Sequence, residues 1–415
     1  MADRVQVAVT GLGVRTPAGH RLDDLWETLA GGRSTARTIT SFPVDDLPVT
    51  FACQVGDVGW EEHVTARQAR RMDRTTVLAV CAAAEALADA GVEAGGHLQP
   101  PPERRAVVAG TGWAGNATYE QAMLGQGDRG APTPLTVLKI MHNAVPAWIS
   151  MRHQIMGPSL TVSTACASGG HAIGEGLRLI REGSADLVVA GGAEACVSPT
   201  VLLAFHRCRA LSTRVADPEG ASRPFDADRD GFVMGEGAAF VVLERLEDAV
   251  RRDARVYAVL AGYGRTSDAY HLTMPAPGGG GAERCMRQAL ADARLSPAEV
   301  VHVNAHGTST RLNDLAEAQA ISRLFGPGKV PVTASKSVIG HSLGAAGAIE
   351  AVISALTVRA GAAPPIANLD TLDPECDVDV VRAPRALEPG AVVSNSFAFG
   401  GHNASLVLTP YATRN

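Results

Sequence analysis

The strongest constraint on this chain is a long internal repeat of short apolar strands, glycine-rich loops and helices, present once in each half. In the first half, Val5 to Val9 predicts a strand ending in Gly11-Leu12-Gly13. Thr75 to Ala90 predicts a helix closed by Gly91, a residue suited to a C-cap. Its Ala-rich run, Cys81 to Ala84, suits close contact with another helix. Arg105 to Val108 is a strand entering Gly110-Thr111-Gly112. Leu160 to Ser163 is a strand followed by a helix from Ala165 to Arg181, and Asp186 to Ala190 is a strand ending in Gly191-Gly192. The second half runs in the same order: strand Val256 to Leu260 with Gly262-Tyr263-Gly264, helix Glu283 to Ala293, and strand Val300 to Asn304 entering His306-Gly307-Thr308. Strand Val330 to Thr333, helix Gly344 to Arg359 and strand Val392 to Ser394 complete it.

A chain of 415 residues is too long for one simple core. The repeat divides it into two βα-rich halves, residues 1–253 and 254–415. Short apolar strands alternating with helices predict an α/β fold of mostly parallel sheets with helices on both faces. Such folds place ligands at the carboxyl ends of the strands, where Cys166, His306, Lys336, His341 and Phe399 all fall. The balance of 46% hydrophobic and 19% charged residues is that of a folded protein. A net charge of −6 gives no general attraction to nucleic acid or membranes. Met1 to Val5 lacks the pattern of a signal peptide, and no apolar run reads as long enough to span a membrane. Seven scattered cysteines without a CxxC pair predict a reduced, cytoplasmic protein with neither disulfides nor a zinc site.

Three residues invite a chemical reading. Cys166, in Thr164-Ala165-Cys166-Ala167-Ser168-Gly169-Gly170, lies between a strand and a helix, where backbone N–H groups and the helix dipole favour a thiolate. The alternative is a buried, inert cysteine, the reading given to Cys53, Cys81, Cys196, Cys208, Cys285 and Cys376. His306 and His341 sit in small-residue loops at matching points of the second half. Each alone could be a structural hydrogen-bonder; together with Cys166 they point to nucleophilic catalysis. His302 and His306 are four apart but on a strand and its loop, with no third metal ligand beside them. Lys336 is one of three lysines in a chain that otherwise uses Arg, and Glu317 and Asp314 are its candidate partners. In Asn395-Ser396-Phe397-Ala398-Phe399-Gly400-Gly401-His402-Asn403, paired glycines allow a turn whose N–H points at an oxyanion.

Taken in order, these loops resemble the β-ketoacyl-ACP synthases with a Cys-His-His site. The resemblance includes Asp226 to Val233, Gly235-Glu236-Gly237 and Thr266 to His271, and it covers essentially the whole chain. It implies a thiolase-like fold of two similar halves in five αβαβα layers. It also implies that Cys166 carries the acyl chain, and that His306 and His341 assist decarboxylation of a malonyl extender. Further implied are an oxyanion site at the N–H groups of Cys166 and Phe399, a gate at Phe399 and Gly400, and a Lys336–Glu317 pair organising the histidines. Thr308 and Thr310 match pantetheine-binding positions, Trp113 and Phe205 match the acyl pocket, and Arg67, Arg71 and Arg209 match residues that face acyl carrier protein. No cofactor and no metal are implied. The implied partners are acyl carrier protein and either a second copy or a chain-length-factor-like paralogue.

Two departures lean the reading from fatty acid elongation toward a discrete polyketide system. Trp113 stands where a smaller residue is usual, and Thr133 to Leu138 lacks an aromatic pair common near the dimer seam. A thiolase would need a second cysteine between Asn395 and Asn403, which contains none. A non-catalytic partner subunit would be expected to lose the cysteine.

Overall fold

The computed structural model describes residues 4–56, 58–92, 100–125 and 132–411. The strands that position the site are β1 Val7–Arg15, β2 Arg105–Gly110, β3 Ser159–Val162, β4 Leu187–Glu194, β5 Gly237–Arg245, β6 Ala258–Ser267, β7 Val300–Asn304, β8 Pro331–Thr333, β9 Asp379–Val380, β10 Ala391–Ala398 and β11 His402–Thr409. The helices are α1 Arg74–Asp89, α2 Ser168–Arg181, α3 Pro199–Arg207, α4 Gly280–Ala293, α5 Arg311–Phe325 and α6 Ala346–Ala360.

All eleven strands join in the order β9-β8-β7-β10-β11-β6-β1-β5-β4-β2-β3. The two halves meet where β1 and β6 pair, through Ala8 with Val259 and Val9 with Ala258. Outward from that seam, β1-β5-β4-β2-β3 and β6-β11-β10-β7-β8 place equivalent strands in the same order, which is the sequence repeat made spatial. The sheet is more mixed than expected. Parallel pairs at its flanks give way to five antiparallel pairs in its centre: β5 and β11 each run against both neighbours, and β1 runs against β6 at the seam. Gly237–Arg245 is buried on both faces, and a strand covered twice is apolar whichever way its neighbours run.

Three apolar cores separate five layers. One packs α1 on the N-terminal half-sheet, one packs α4 and α5 on the C-terminal half-sheet, and the middle core holds α2 and α6 between them. Contrary to expectation, β1 does not stop at Gly11-Leu12-Gly13 but runs through it. A Cβ on Gly11 would lie 2.1 Å from the carbonyl oxygen of Ala86, and one on Gly13 2.0 Å from that of Ala82. The Ala-rich side of α1 therefore lies on a strand. Gly262 and Gly264 repeat the device in β6 under α4, 2.2 Å from Ala289 O and 2.1 Å from Cys285 O.

One helical stretch, Leu343–Ala360, does reach spanning length, with a mean hydropathy of 1.4 over 18 residues. It is 78% buried inside the protein, so its apolarity is that of a core helix.

Candidate active site

Cys166 lies in the β3–α2 connection and His341 in the β8–α6 connection, equivalent places in the two halves. His306 follows β7 and Phe399 follows β10. Backbone strain gathers at these loops: Ala165, Ser309 and Leu343 hold φ of 49°, 70° and 44°, the left-handed region that non-glycine residues avoid. Helix α2 begins at Ser168, two residues beyond Cys166. The Ser168 hydroxyl donates to Ala165 O at 2.6 Å and accepts from the Thr164 N–H at 2.9 Å, fixing the turn that presents the thiol.

A cavity of about 620 Å³ is lined by exposed Arg209 and Arg311 and also by buried Cys166, His306 and His341. One chamber thus joins the surface to the three side chains. Trp113, Phe205, Phe399, Thr308, Thr310 and Glu317 also contribute to its wall. Trp113 and Phe399 flank Phe205 at centroid distances of 6.2 and 6.3 Å. Phe232 continues the aromatic chain inward, 5.3 Å from Phe205 and 5.2 Å from the His341 ring. The Thr308 and Thr310 hydroxyls share a hydrogen bond of 2.9 Å. Gly400, exposed and at φ 82°, donates its N–H to Leu272 O at 2.7 Å. Arg67 and Arg71 are exposed but form no part of the cavity wall.

The histidine rings meet edge to face, with centroids 5.3 Å apart. Burial, followed by the positive charge of Lys336, holds both imidazoles well below their usual range, so they are neutral at pH 7. The Lys336 ammonium donates to His306 O at 2.7 Å and to His306 Nδ1 at 3.2 Å. An ammonium has no lone pair, so Nδ1 is the acceptor and the His306 proton resides on Nε2.

The expected Lys336–Glu317 pair is not formed. Lys336 Nζ instead meets Glu350 Oε1 at 2.5 Å. Glu317 accepts the N–H groups of His306 and Gly307, at 2.8 and 2.9 Å, and the Asn395 side-chain amide at 3.2 Å. Being a few residues downstream of the loop, Glu317 closes back on its backbone, while the helix packed behind supplies the counterion. Burial raises both carboxyls to about 7. Sequence reasoning passed over Glu350, although it is the one acid in the apolar run Ala346–Val358. It also passed over Glu194, which accepts the N–H groups of Gly112 at 2.7 Å and Gly344 at 3.2 Å, tying a loop of one half to a loop of the other.

The Asp226 to Val233 motif forms the frame beneath the His306 loop. Arg229 donates to Asp373 at 2.6 Å and to Arg311 O at 3.1 Å, and it lies 3.5 Å from Asp314, which accepts the Phe225 N–H. His302 is buried against the Thr333 hydroxyl at 2.9 Å. The described residues contain no group of three or more potential metal ligands.

The positive charge of Lys336 and the backbone N–H groups of Phe399 and Cys166 all favour the Cys166 thiolate. Even so, burial pushes the thiol up to about 12, outweighing those donors and the Lys336 charge. A resting thiolate was expected from the helix dipole, and burial of the sulfur acts in the opposite direction. Cys208 also departs from expectation, being exposed on the cavity wall where a buried cysteine was foreseen.

Residues 4–249 match the family described as Beta-ketoacyl synthase, N-terminal domain, and residues 257–370 match Beta-ketoacyl synthase, C-terminal domain. A 3-oxoacyl-[acyl-carrier-protein] synthase 2 from Rhizobium meliloti is 42% identical, covering 98% of this chain and 99% of the relative. Among solved structures, the ishigamide ketosynthase/chain length factor is 36% identical with a TM-score of 0.89, covering 99% of this chain and 100% of that one. A type II polyketide ketosynthase in complex with its acyl-carrier protein is 28% identical with a TM-score of 0.88 over the same shares. With both of its halves matched by one family, the chain belongs to the β-ketoacyl synthases.

Proposed function

We propose that this chain is an acyltransferase that extends acyl chains by decarboxylative Claisen condensation on acyl carrier protein. One observation carries the reading. Cys166, Phe399 and two neutral imidazoles line one cavity that opens to the surface.

The Cys166 sulfur attacks the thioester carbonyl of an acyl carrier protein. Its bond to carbon forms as the carrier thiolate leaves, and the thiol proton passes to that thiolate through a neutral imidazole. A thiol held near 12 makes that proton relay necessary. Malonyl carrier protein then enters, and its carbon–carboxylate bond breaks to release CO₂. The electron pair becomes an enolate whose oxygen accepts N–H groups from His306 Nε2 and His341. The enolate carbon attacks the Cys166 thioester. The tetrahedral oxyanion rests on the N–H groups of Cys166 and Phe399, the bond to sulfur breaks, and the Cys166 thiolate recovers a proton from solvent. Phe399 would move to admit chains, with Gly400 as its hinge. The N-terminal half, 1–253, supplies the nucleophile, and 254–415 supplies the two histidines. Arg67, Arg71 and Arg209 present positive charge to the acidic carrier.

The test is intact-protein mass after incubation with hexanoyl carrier protein. We expect one hexanoyl increment on the wild type and none on Cys166→Ala; loading of the variant would remove Cys166 from its role. The reading supports work in a cytoplasmic system of discrete proteins, as a dimer with a second copy or a paralogue.

The Trp113–Phe205 contact favours a dedicated polyketide pocket over general fatty acid elongation. The indole takes volume that a long alkyl chain would need. Trp113→Gly is expected to shift products toward longer chains by gas chromatography; an unchanged profile returns the reading to fatty acid elongation.

A further inference from the structure

The cavity mouth carries an arginine that neither the catalytic steps nor the carrier-facing set uses. Arg311 is the first residue of α5, directly after Thr310, and its side chain is exposed on the cavity wall. Among the described residues its one side-chain hydrogen bond runs from Nε to Arg229 O at 3.4 Å, and its charge also acts on the Asp373 carboxylate, which Arg229 holds. No carboxylate oxygen lies within 4.0 Å of it among the described residues. The arginines just beneath are saturated: Arg229 holds Asp373 and Asp314, and Arg223 holds Asp226 and Asp370.

Arg209 lines the same cavity and likewise has no side-chain partner among the described residues. The acids on this wall are engaged elsewhere. Asp230 accepts the Thr213 N–H at 3.0 Å and lies 3.9 Å from Arg214; Asp268 accepts the Asn403 amide at 2.7 Å and the Ala276 N–H at 3.0 Å. Two exposed guanidinium groups on the cavity wall, neither in a salt bridge among the described residues, can receive an anion, and a planar fork suits phosphate oxygens.

We propose that Arg311 binds the phosphate of the pantetheine arm as the thioester is threaded toward Cys166, beside Arg209, which lines the same cavity and faces the carrier. Thr310, immediately before Arg311, and the buried Thr308 line the same cavity. The assignment rests on the carrier-protein reading, and it makes phosphate recognition at Arg311 separate from recognition of the carrier's protein surface.

The test compares Cys166 acylation rates from hexanoyl-pantetheine and hexanoyl-phosphopantetheine, which differ only in the phosphate. A charge-assisted contact at this exposed site predicts a wild-type preference for the phosphorylated donor of about ten-fold. Arg311→Gln should bring that ratio toward one, and Arg311→Lys should retain part of it. A wild-type ratio of one, or a ratio that Arg311→Gln leaves unchanged, overturns the proposal. Should Arg311→Gln fail to fold, inorganic phosphate reads the same site in the wild type. It should slow the phosphorylated donor and spare the other; equal slowing, or none, counts against the site. A wild-type chain acylated by neither donor nor by hexanoyl carrier protein would remove the condensing-enzyme reading itself.

Discussion

Lys336 has three N–H donors, and His306 O, His306 Nδ1 and Glu350 Oε1 stand within reach of its Nζ. It therefore sets the His306 tautomer by hydrogen bonding and keeps both imidazoles neutral by charge. Lys336→Met removes both effects. The imidazoles are active when neutral, so decarboxylation is lost as pH falls through their folded pKa. In the wild type that limb lies well below 6.5, since burial and Lys336 both depress the rings. In Lys336→Met the charge is gone, and the acid limb of CO₂ release is expected to move up toward 6.5. A limb that stays in place would leave Lys336 with a purely structural role. The variant should also lose about 3 kcal/mol of stability by chemical denaturation, because Glu350 is left buried without its counterion. The choice between Glu317 and Glu350 was not legible beforehand: both are acids in helices near the histidine loops, and only the packing of α6 behind Lys336 decides between them.

At the scale of elements, the glycines of β1 and β6 set how closely helices lie on the sheet. With Ala82 O at 2.0 Å from the missing Cβ, Gly13→Ala cannot be absorbed by a side-chain rotation, since the obstacle is backbone. Either α1 lifts from the strand or β1 bends, at a cost of about 1–3 kcal/mol. Gly264→Ala, facing Cys285 O at 2.1 Å, should cost a similar amount. Both would appear as a lower Tm by differential scanning calorimetry; a neutral Gly13→Ala would contradict the close approach. Those glycines were visible in the sequence, yet they read as strand ends, since a glycine that stops a strand and one that admits a helix look alike until the neighbour is known. The core runs of α1, α2 and α4 were legible because apolar periodicity survives without tertiary information. The strands β5 and β11 were not read at all, because Gly237 and His402-Asn403 fall in glycine-rich stretches taken as loops, and a doubly covered strand carries no mark of its partner's orientation. The three reactive side chains were found through small-residue loops at strand ends. Their mutual distances depend on how the two halves dock, which no local pattern records.

At the scale of the whole molecule, the sheet ends at β3, which pairs with β2 on one side only. Leu160 within it is 47% exposed, and Met151 and Met156 just before it are 59% and 60% exposed. The helix Pro134–Ile140 adds Val137 at 58% and Leu138 at 47%. An open strand edge beside an apolar patch of this kind is a liability for a lone molecule and an asset for a symmetric pair. In a two-fold dimer the edge would meet its own copy, so each residue of β3 would lie near its equivalent across the axis. That geometry makes a single charge count twice. Leu160→Lys would place two ammonium groups together at the seam, each stripped of water. We expect the wild type to sediment at twice its 43.0 kDa and Leu160→Lys at 43.0 kDa in analytical ultracentrifugation. Leu160→Met, which keeps the apolar contact, should retain the larger species. Sedimentation of the wild type at 43.0 kDa would exclude the homodimer and direct attention to a paralogue that covers the same edge.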